Sequence, residues 1–479
     1  MNKRIQPLQD SILILFFLLL SIIFVYFSAP WLNRLFFIIL LFIFYKTDKD
    51  YFWIAFFLAI NLNPGGFFMD YSKEAPHRLP LYTLAPGISF TNFDFFIIIA
   101  FLKAIQKKIK IIYGYKFLIP GFGILFLLIV GISQGIDSQA FINFLRGMTA
   151  CTLIYSIPVL IIRETSLYKF IYCFFPFVFF ELICQLYIVV TGQMVVQQID
   201  PGFNMYLERL PTGAERATGF GYSIVNFSAI LSFIFLIQKN KILPTIYVVT
   251  VISICVFSVI LSATRQQLIL IAIIILLNSL YSKVINFRRL IIFITGLIIL
   301  YFAISHIPGA SNAIKGSFDR FQTGFIKDEK TNTFEYRLKK RLPVILNNIR
   351  QSPVIGYGVS KKYFEIKDSH LGGILYVLLQ GGIIGLMIVI IFVANLFYTN
   401  RKYIKQFARA NIIWSQYLKI LVVGFTGFFI MNLIIDVFYV FPIDGFSITL
   451  LYIAIAVIII NNGLGNKNFV YEKEKKVPY

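Results

Sequence analysis

Four stretches of the sequence hold side chains that can act on an anionic or hydroxyl-bearing substrate. Glu208, Arg209, Glu215 and Arg216 lead into Ala217-Thr218-Gly219-Phe220-Gly221-Tyr222, and the next apolar run opens with Ser223 and Asn226. A guanidinium beside glycines at a helix N-terminus can clamp an anion, because the first-turn N–H groups and the helix dipole already favour negative charge. The same residues also read as a solvated loop with a helix cap. Ser262-Ala263-Thr264-Arg265-Gln266-Gln267 lies between two strongly apolar runs with almost no loop around it. An arginine there sits at a membrane boundary or points into a cavity, at a cost on the order of 2.5–3.5 kcal/mol at full depth. Arg265 is therefore either a functional residue or a snorkelling marker of the interface.

The third stretch runs from Phe334 to Arg350. Its Leu338, Leu342, Ile345 and Ile349 fall at helical spacing and form one apolar stripe that can lie on a membrane surface, while Arg337 and Arg341, four apart, share a different face. Pro343 kinks or restarts that helix, and mere headgroup contact would produce the same pattern. In the fourth, Ser352-Pro353-Val354-Ile355-Gly356-Tyr357-Gly358 precedes Asp368-Ser369-His370, at the mouth of an apolar run that continues through Gln380-Gly381-Gly382-Ile383-Ile384-Gly385. A histidine with a carboxylate nearby can serve as a general base near neutral pH. A polar cap is the alternative.

The elements that must position these residues follow from composition. A chain of 479 residues that is 58% hydrophobic and 14% charged has too much apolar surface for a water-soluble fold. Its long apolar runs predict an all-α polytopic membrane protein of about fourteen spans, near residues 11–29, 33–45, 51–62, 92–105, 117–132, 147–162, 170–190, 223–238, 244–262, 267–281, 290–307, 372–397, 417–438 and 446–461. The first run has no small-residue cleavage site after it and reads as a retained helix. The formal charge of +22 comes from short Lys/Arg clusters between runs, which suits topogenic signals and anionic lipid headgroups and not nucleic acid. If the N-terminus with Lys3 and Arg4 is cytoplasmic, alternate loops should be basic. They are, from Lys46 and Lys49 through Lys103 to Lys116, Arg163 and Lys169, Lys239 and Lys241, Lys283 to Arg289, and Arg401 to Arg409, ending in the basic tail 462–479.

This predicts a single integral membrane domain over 1–479 with both termini cytoplasmic. The opposite side then carries three long segments, 63–91, 191–222 and 308–371, rich in aromatics and Gly/Pro turns, where function is expected. His77 and His370 fall in them, with His306 adjoining at a helix end. Cys151, Cys173, Cys184 and Cys255 all fall in apolar runs, so packing is their expected role.

Taken in order, Arg216-Ala-Thr-Gly-Phe leading into a helix, the Thr264-Arg265 boundary pair, Arg337 placed sixteen residues before Pro353-Val-Ile-Gly-Tyr-Gly, and His370 before a Gly382-Ile-Ile-Gly385 helix resemble the O-antigen ligase and polymerase superfamily of bacterial envelope glycan assembly. The resemblance covers roughly residues 205–397. It implies a fold like that of the GT-C glycosyltransferases in the bacterial plasma membrane, and a transferase, independent of metal and cofactor, that takes glycans from undecaprenyl diphosphate at the outer leaflet. Arg265 and Arg337 would hold the diphosphate, with Arg216 a third ligand and Arg341 beside them. His370 would orient or deprotonate the acceptor hydroxyl. Lipid-linked oligosaccharide, membrane lipids and a chain-length regulator are the expected partners. Leu371 stands where the ligases have Asn, and His370 is one residue farther from Gly382 than in those enzymes, which favours a polymerase that joins repeat units. A ligase moving finished glycan to lipid A core is the rival within the same chemistry. A lipid-linked oligosaccharide flippase is the rival from another class, although apart from Glu181 the spans hold almost no ionisable group at mid-depth and no internal repeat is visible.

Overall fold

In hydrocarbon a chain can satisfy its own backbone only as helices or a closed barrel, and here the apolar runs become helices. A computed structural model describes residues 6–68, 79–85, 88–109, 111, 118–136, 138–200, 213, 216–217, 222–238, 242–281, 287–307, 309–323, 339, 341–366, 373–434 and 443–464. Helix covers each of the fourteen apolar stretches: Gln6–Phe27, Pro30–Lys46, Asp50–Asn61, Asn92–Gln106, Leu118–Ser133, the pair Ser138–Cys151 and Leu153–Leu160, the pair Glu164–Tyr172 and Phe175–Thr191, Tyr222–Ile237, Thr245–Leu261, Arg265–Leu280, Phe287–Ser305, Gly373–Ala410, Ile412–Ile434 and Ile443–Gly463. Among the described residues, four helical segments are long and apolar enough by themselves to cross a membrane (Pro7–Phe27, Glu164–Thr191, Gly373–Ala410 and Ile412–Phe429), and eight shorter apolar helices accompany them.

The outward faces of these helices are apolar as well. Leu19, Ile23, Phe42, Ile129, Ile299, Phe302 and Ile391 are all exposed, and a protein bathed in water does not leave such surface on helix after helix. The chain is a mostly helical, membrane-associated protein. Inside, large aromatic rings fill the space between helices. Phe57 stacks on Phe96 with ring centroids 5.0 Å apart, and Phe17 leans on Trp53 at 5.1 Å.

Polar contacts sort the ends of the helices into two groups. At one end, the Nζ atoms of Lys103 and Lys107 each lie 2.6 Å from the buried Asp50 carboxylate. The Tyr168 and Tyr417 hydroxyls pair there at 2.7 Å, and Asn462 donates to the Ile162 carbonyl at 2.8 Å. At the other end, Tyr26 donates to the Phe67 carbonyl at 2.9 Å, and Arg146 reaches Asp94 at 3.1 Å and the Ser89 carbonyl at 3.0 Å. Each contact joins segments that the charge alternation puts on one side.

Two segments read as loops are built. Within 63–91, Asn63 takes a left-handed φ of 55° and the buried Pro64–Gly66 turn folds back into the bundle. The Gly65 amide there donates to Glu181 Oε2 at 2.6 Å. The acidic group expected at mid-depth is thus occupied in holding this turn. Leu81–Ala85 and Ile88–Thr91 then form an antiparallel hairpin, an addition to the all-α expectation, and Thr91 with Asp94 makes the capping box that starts Asn92–Gln106. Within 308–371 lie the helices Ala310–Thr323, Leu342–Gln351 and Lys361–Ile366.

Candidate functional site

Arg216 and Arg265 come from segments far apart in the chain, and the fold brings them to one place. The Thr245–Leu261 and Arg265–Leu280 helices are joined by Ser262, Ala263 and Thr264 alone, so the chain must reverse within three residues. It does so by placing buried Ala263 at φ 50°, a left-handed conformation that costs an L-residue about 1–2 kcal/mol. Arg216 holds this turn: its Nε donates to the Ser262 carbonyl at 2.7 Å and its Nη2 to the Thr264 hydroxyl at 2.8 Å. Thr264 is the N-cap of the helix whose first residue is Arg265. The two arginines expected to share an anion are therefore neighbours at a helix N-terminus, the geometry in which negative charge is best stabilised. One turn further on, Asn226 at the start of Tyr222–Ile237 donates to Gln267, which ties the helix following Arg216 to the helix carrying Arg265.

The second part of the site is a joint between the Pro353 to Gly358 motif and the Gly382 motif. The Gly373–Ala410 helix is broken at Gly382, whose φ of 59° and ψ of −156° belong to a region essentially restricted to glycine. A break in a helix long and apolar enough to cross a membrane strands carbonyls before it and amides after it, which hydrocarbon could not satisfy. The 353–359 segment supplies the missing partners. Tyr357 N donates to Leu379 O at 3.0 Å and Gly358 N to Gln380 O at 2.7 Å; Ile383 N and Ile384 N donate to Pro353 O at 2.9 Å and Val354 O at 3.1 Å. The approach is backbone on backbone, since a Cβ on Gly382 would meet Val354 at 2.3 Å and one on Gly356 would meet Gln380 at 2.6 Å. Val359 N continues the strap to Leu127 O at 3.2 Å, on the Leu118–Ser133 helix.

Arg341 stands exposed at the N-cap of Leu342–Gln351. That helix begins with Pro343 in its first turn, a restart and not a kink. Its apolar stripe departs from the expectation of a surface-lying helix. Ile345 is buried, with Leu342 and Ile349 packed beside it, against Tyr357, Tyr363, Tyr376 and Leu379. The physical reason is that the strap and the half-helix from Gly373 to Gly381 offer an aromatic face, Tyr357 and Tyr376, against which the stripe buries its apolar area. Arg341 is thereby fixed relative to the helix break. Arg337 and His370 lie outside the described residues, as does His77.

Sequence reasoning passed over the ion pair of half-buried Arg146 with buried Asp94, on the side where the charge alternation also puts Arg216. The signal was present in Thr91-Asn92-Phe93-Asp94, a four-residue capping box that fixes one carboxylate at a helix start. On the hairpin beside it the Tyr82 hydroxyl donates to the Arg34 carbonyl at 3.1 Å, and burial pushes its phenol up to about 12 against the opposing pull of Arg34, so it stays a neutral donor at physiological pH. Among the described residues no three His, Cys, Asp or Glu side chains gather as a metal-ligand set.

Chemically, this end of the molecule offers one guanidinium held in place, that of Arg216, beside a helix N-terminus, an arrangement that favours negative charge. No protein-family model matches the chain, and no curated protein matches it.

Proposed function

We propose that the chain is a polysaccharide polymerase that joins undecaprenyl-diphosphate-linked oligosaccharide repeat units at the outer leaflet of a bacterial plasma membrane. The observation that carries this reading is the convergence of Arg216 on the turn that opens the Arg265 helix. A diphosphate leaving group develops charge as the glycosyl bond breaks, and an arginine carried on a helix start that is itself clamped in place, beside helix N–H groups, would stabilise that charge with little reorganisation. Arg265 binds the diphosphate in this scheme, Arg337 and Arg341 approach from the 308–371 segment, and His370 serves the acceptor hydroxyl. A membrane-boundary site is where a polyprenyl donor presents its headgroup.

A second reading has one observation in its favour. The break at Gly382 is the kind of discontinuous helix on which many transporters build a substrate site, so a lipid-linked oligosaccharide flippase is the rival to be tested. Against it, the 353–359 strap covers the break and pairs two of the carbonyls before it and two of the amides after it.

Surface polysaccharide and lipid-linked glycan from a strain lacking the protein separate these readings. Glycan arrested at a single repeat unit on the outer leaflet is the expected result. Full-length glycan still attached to undecaprenyl diphosphate would make the protein a ligase, and repeat units held on the inner leaflet would make it a flippase.

A further inference from the structure

We infer that Arg216 is a positioning residue that fixes the helix start at Arg265, and not itself a ligand of the substrate anion. A guanidinium holds an oxyanion bidentately along one of its edges, and the Nε and Nη2 edge of Arg216 is spent on the Ser262 carbonyl and the Thr264 hydroxyl, at 2.7 and 2.8 Å. The turn it grips is the one place along these two helices where a non-glycine residue, Ala263, is held left-handed. Its neighbours reinforce the grip. Ser262 Oγ donates to Val259 O at 2.7 Å, and Thr264 N donates to Ser262 Oγ at 3.3 Å. Ala217, next to Arg216, is fully buried and anchors the arginine from its own side. Strain at Ala263, contacts on both sides of it, and an immediate connection to the first helical residue, Arg265, make a device for fixing the direction of one helix start.

This inference deepens the diphosphate reading and depends on it only for the identity of the ligand. If Arg216 acts by stabilising a left-handed residue, then replacing that residue by glycine, which adopts the conformation without a steric penalty, should make the clamp less necessary. The test is a double-mutant cycle on the full-length protein in lipid nanodiscs, read by binding of undecaprenyl diphosphate and, separately, by thermal unfolding. R216Q should weaken binding about fivefold and lower the Tm, and R216Q/A263G should recover binding to within about twofold of A263G alone and lose less Tm relative to A263G than R216Q loses relative to wild type. R265Q should lose binding with little change in Tm, and A263G should not rescue it. Additive losses in R216Q/A263G, in binding and in Tm alike, would overturn the inference and return Arg216 to direct contact with the ligand. If the wild-type protein does not bind undecaprenyl diphosphate at all, the functional reading fails instead, and the coupling between positions 216 and 263 in Tm still decides whether Arg216 is the clamp.

Discussion

At the scale of single residues, Arg265 bears the most weight in the proposed chemistry. It was legible in the sequence because an arginine between two apolar runs has few explanations, and its neighbour Arg216 was legible for its glycines. Their relationship was not. Nothing in residue types says that the Arg216 guanidinium lands on the carbonyl of Ser262 and the hydroxyl of Thr264, since that contact joins positions 46 and 48 residues apart through tertiary packing. A bidentate guanidinium and a point-charge ammonium differ most where two oxyanion oxygens are held at once. Arg265→Lys should therefore lower polymer formation by at least about tenfold, equivalent to about 1.4 kcal/mol, with unchanged protein level in the membrane. Full activity in that variant, measured by polysaccharide laddering in a complemented deletion strain, would remove Arg265 from the diphosphate. Asp50 makes a contrasting case at the opposite end of the bundle. It is buried and salt-bridged to Lys103, itself buried, and to the partly exposed Lys107, so Asp50→Ala leaves Lys103 as an uncompensated buried cation. That loss should cost about 3–5 kcal/mol of stability, seen as a drop in the melting temperature of the detergent-solubilised protein. Retained stability would show that Lys103 is held well enough by the Phe44 and Thr47 carbonyls to which it also donates.

Among the elements, the helices were readable because each apolar run has one stable state in hydrocarbon, and helix falls on each of the fourteen expected stretches. What the pattern could not reveal is where a run stops being one helix. Gly381-Gly382 looks like a small-residue packing site, and only the tertiary approach of Pro353 to Gly358 turns it into a break with paired ends. The amphipathic stripe was misjudged for a related reason, because periodicity shows that a face is apolar without saying whether lipid or protein covers it. The joint predicts opposite outcomes for two glycines three residues apart. Gly382→Ala puts a methyl against the Val354 backbone at 2.3 Å and forces an unfavourable φ, so it should cost at least about 2 kcal/mol and reduce monodisperse protein on size exclusion. Gly385→Ala meets nothing nearer than the Val377 carbonyl at 3.6 Å and should be neutral or mildly stabilising through helix propensity. Equal tolerance at both positions would mean that the strap does not close the break.

For the molecule as a whole, the question is which end faces which compartment, because the proposed reaction depends on it. The charge alternation puts Arg216, Arg265 and the 308–371 segment outside, where lipid-linked donors are displayed, and puts Asp50, Lys103 and Lys107 inside. All four native cysteines are buried, so introduced cysteines can be labelled over a low background. Gln193 and Lys361 are exposed at the end that holds Arg216, and Gln106 and Arg401 are exposed at the end that holds Asp50. A membrane-impermeant maleimide applied to intact spheroplasts should label Gln193→Cys and Lys361→Cys, and should reach Gln106→Cys and Arg401→Cys only after permeabilisation. The reverse pattern would place the arginines on the cytoplasmic face, where nucleotide-activated sugars are abundant and outer-leaflet acceptors are absent. A polymerase of lipid-linked repeat units could not work there. Labelling of one member of each pair from the same side would instead mean that the number of crossings between them departs from the fourteen-span alternation, and the break at Gly382, lying between Lys361 and Arg401, is the first place where a half-crossing would produce that result.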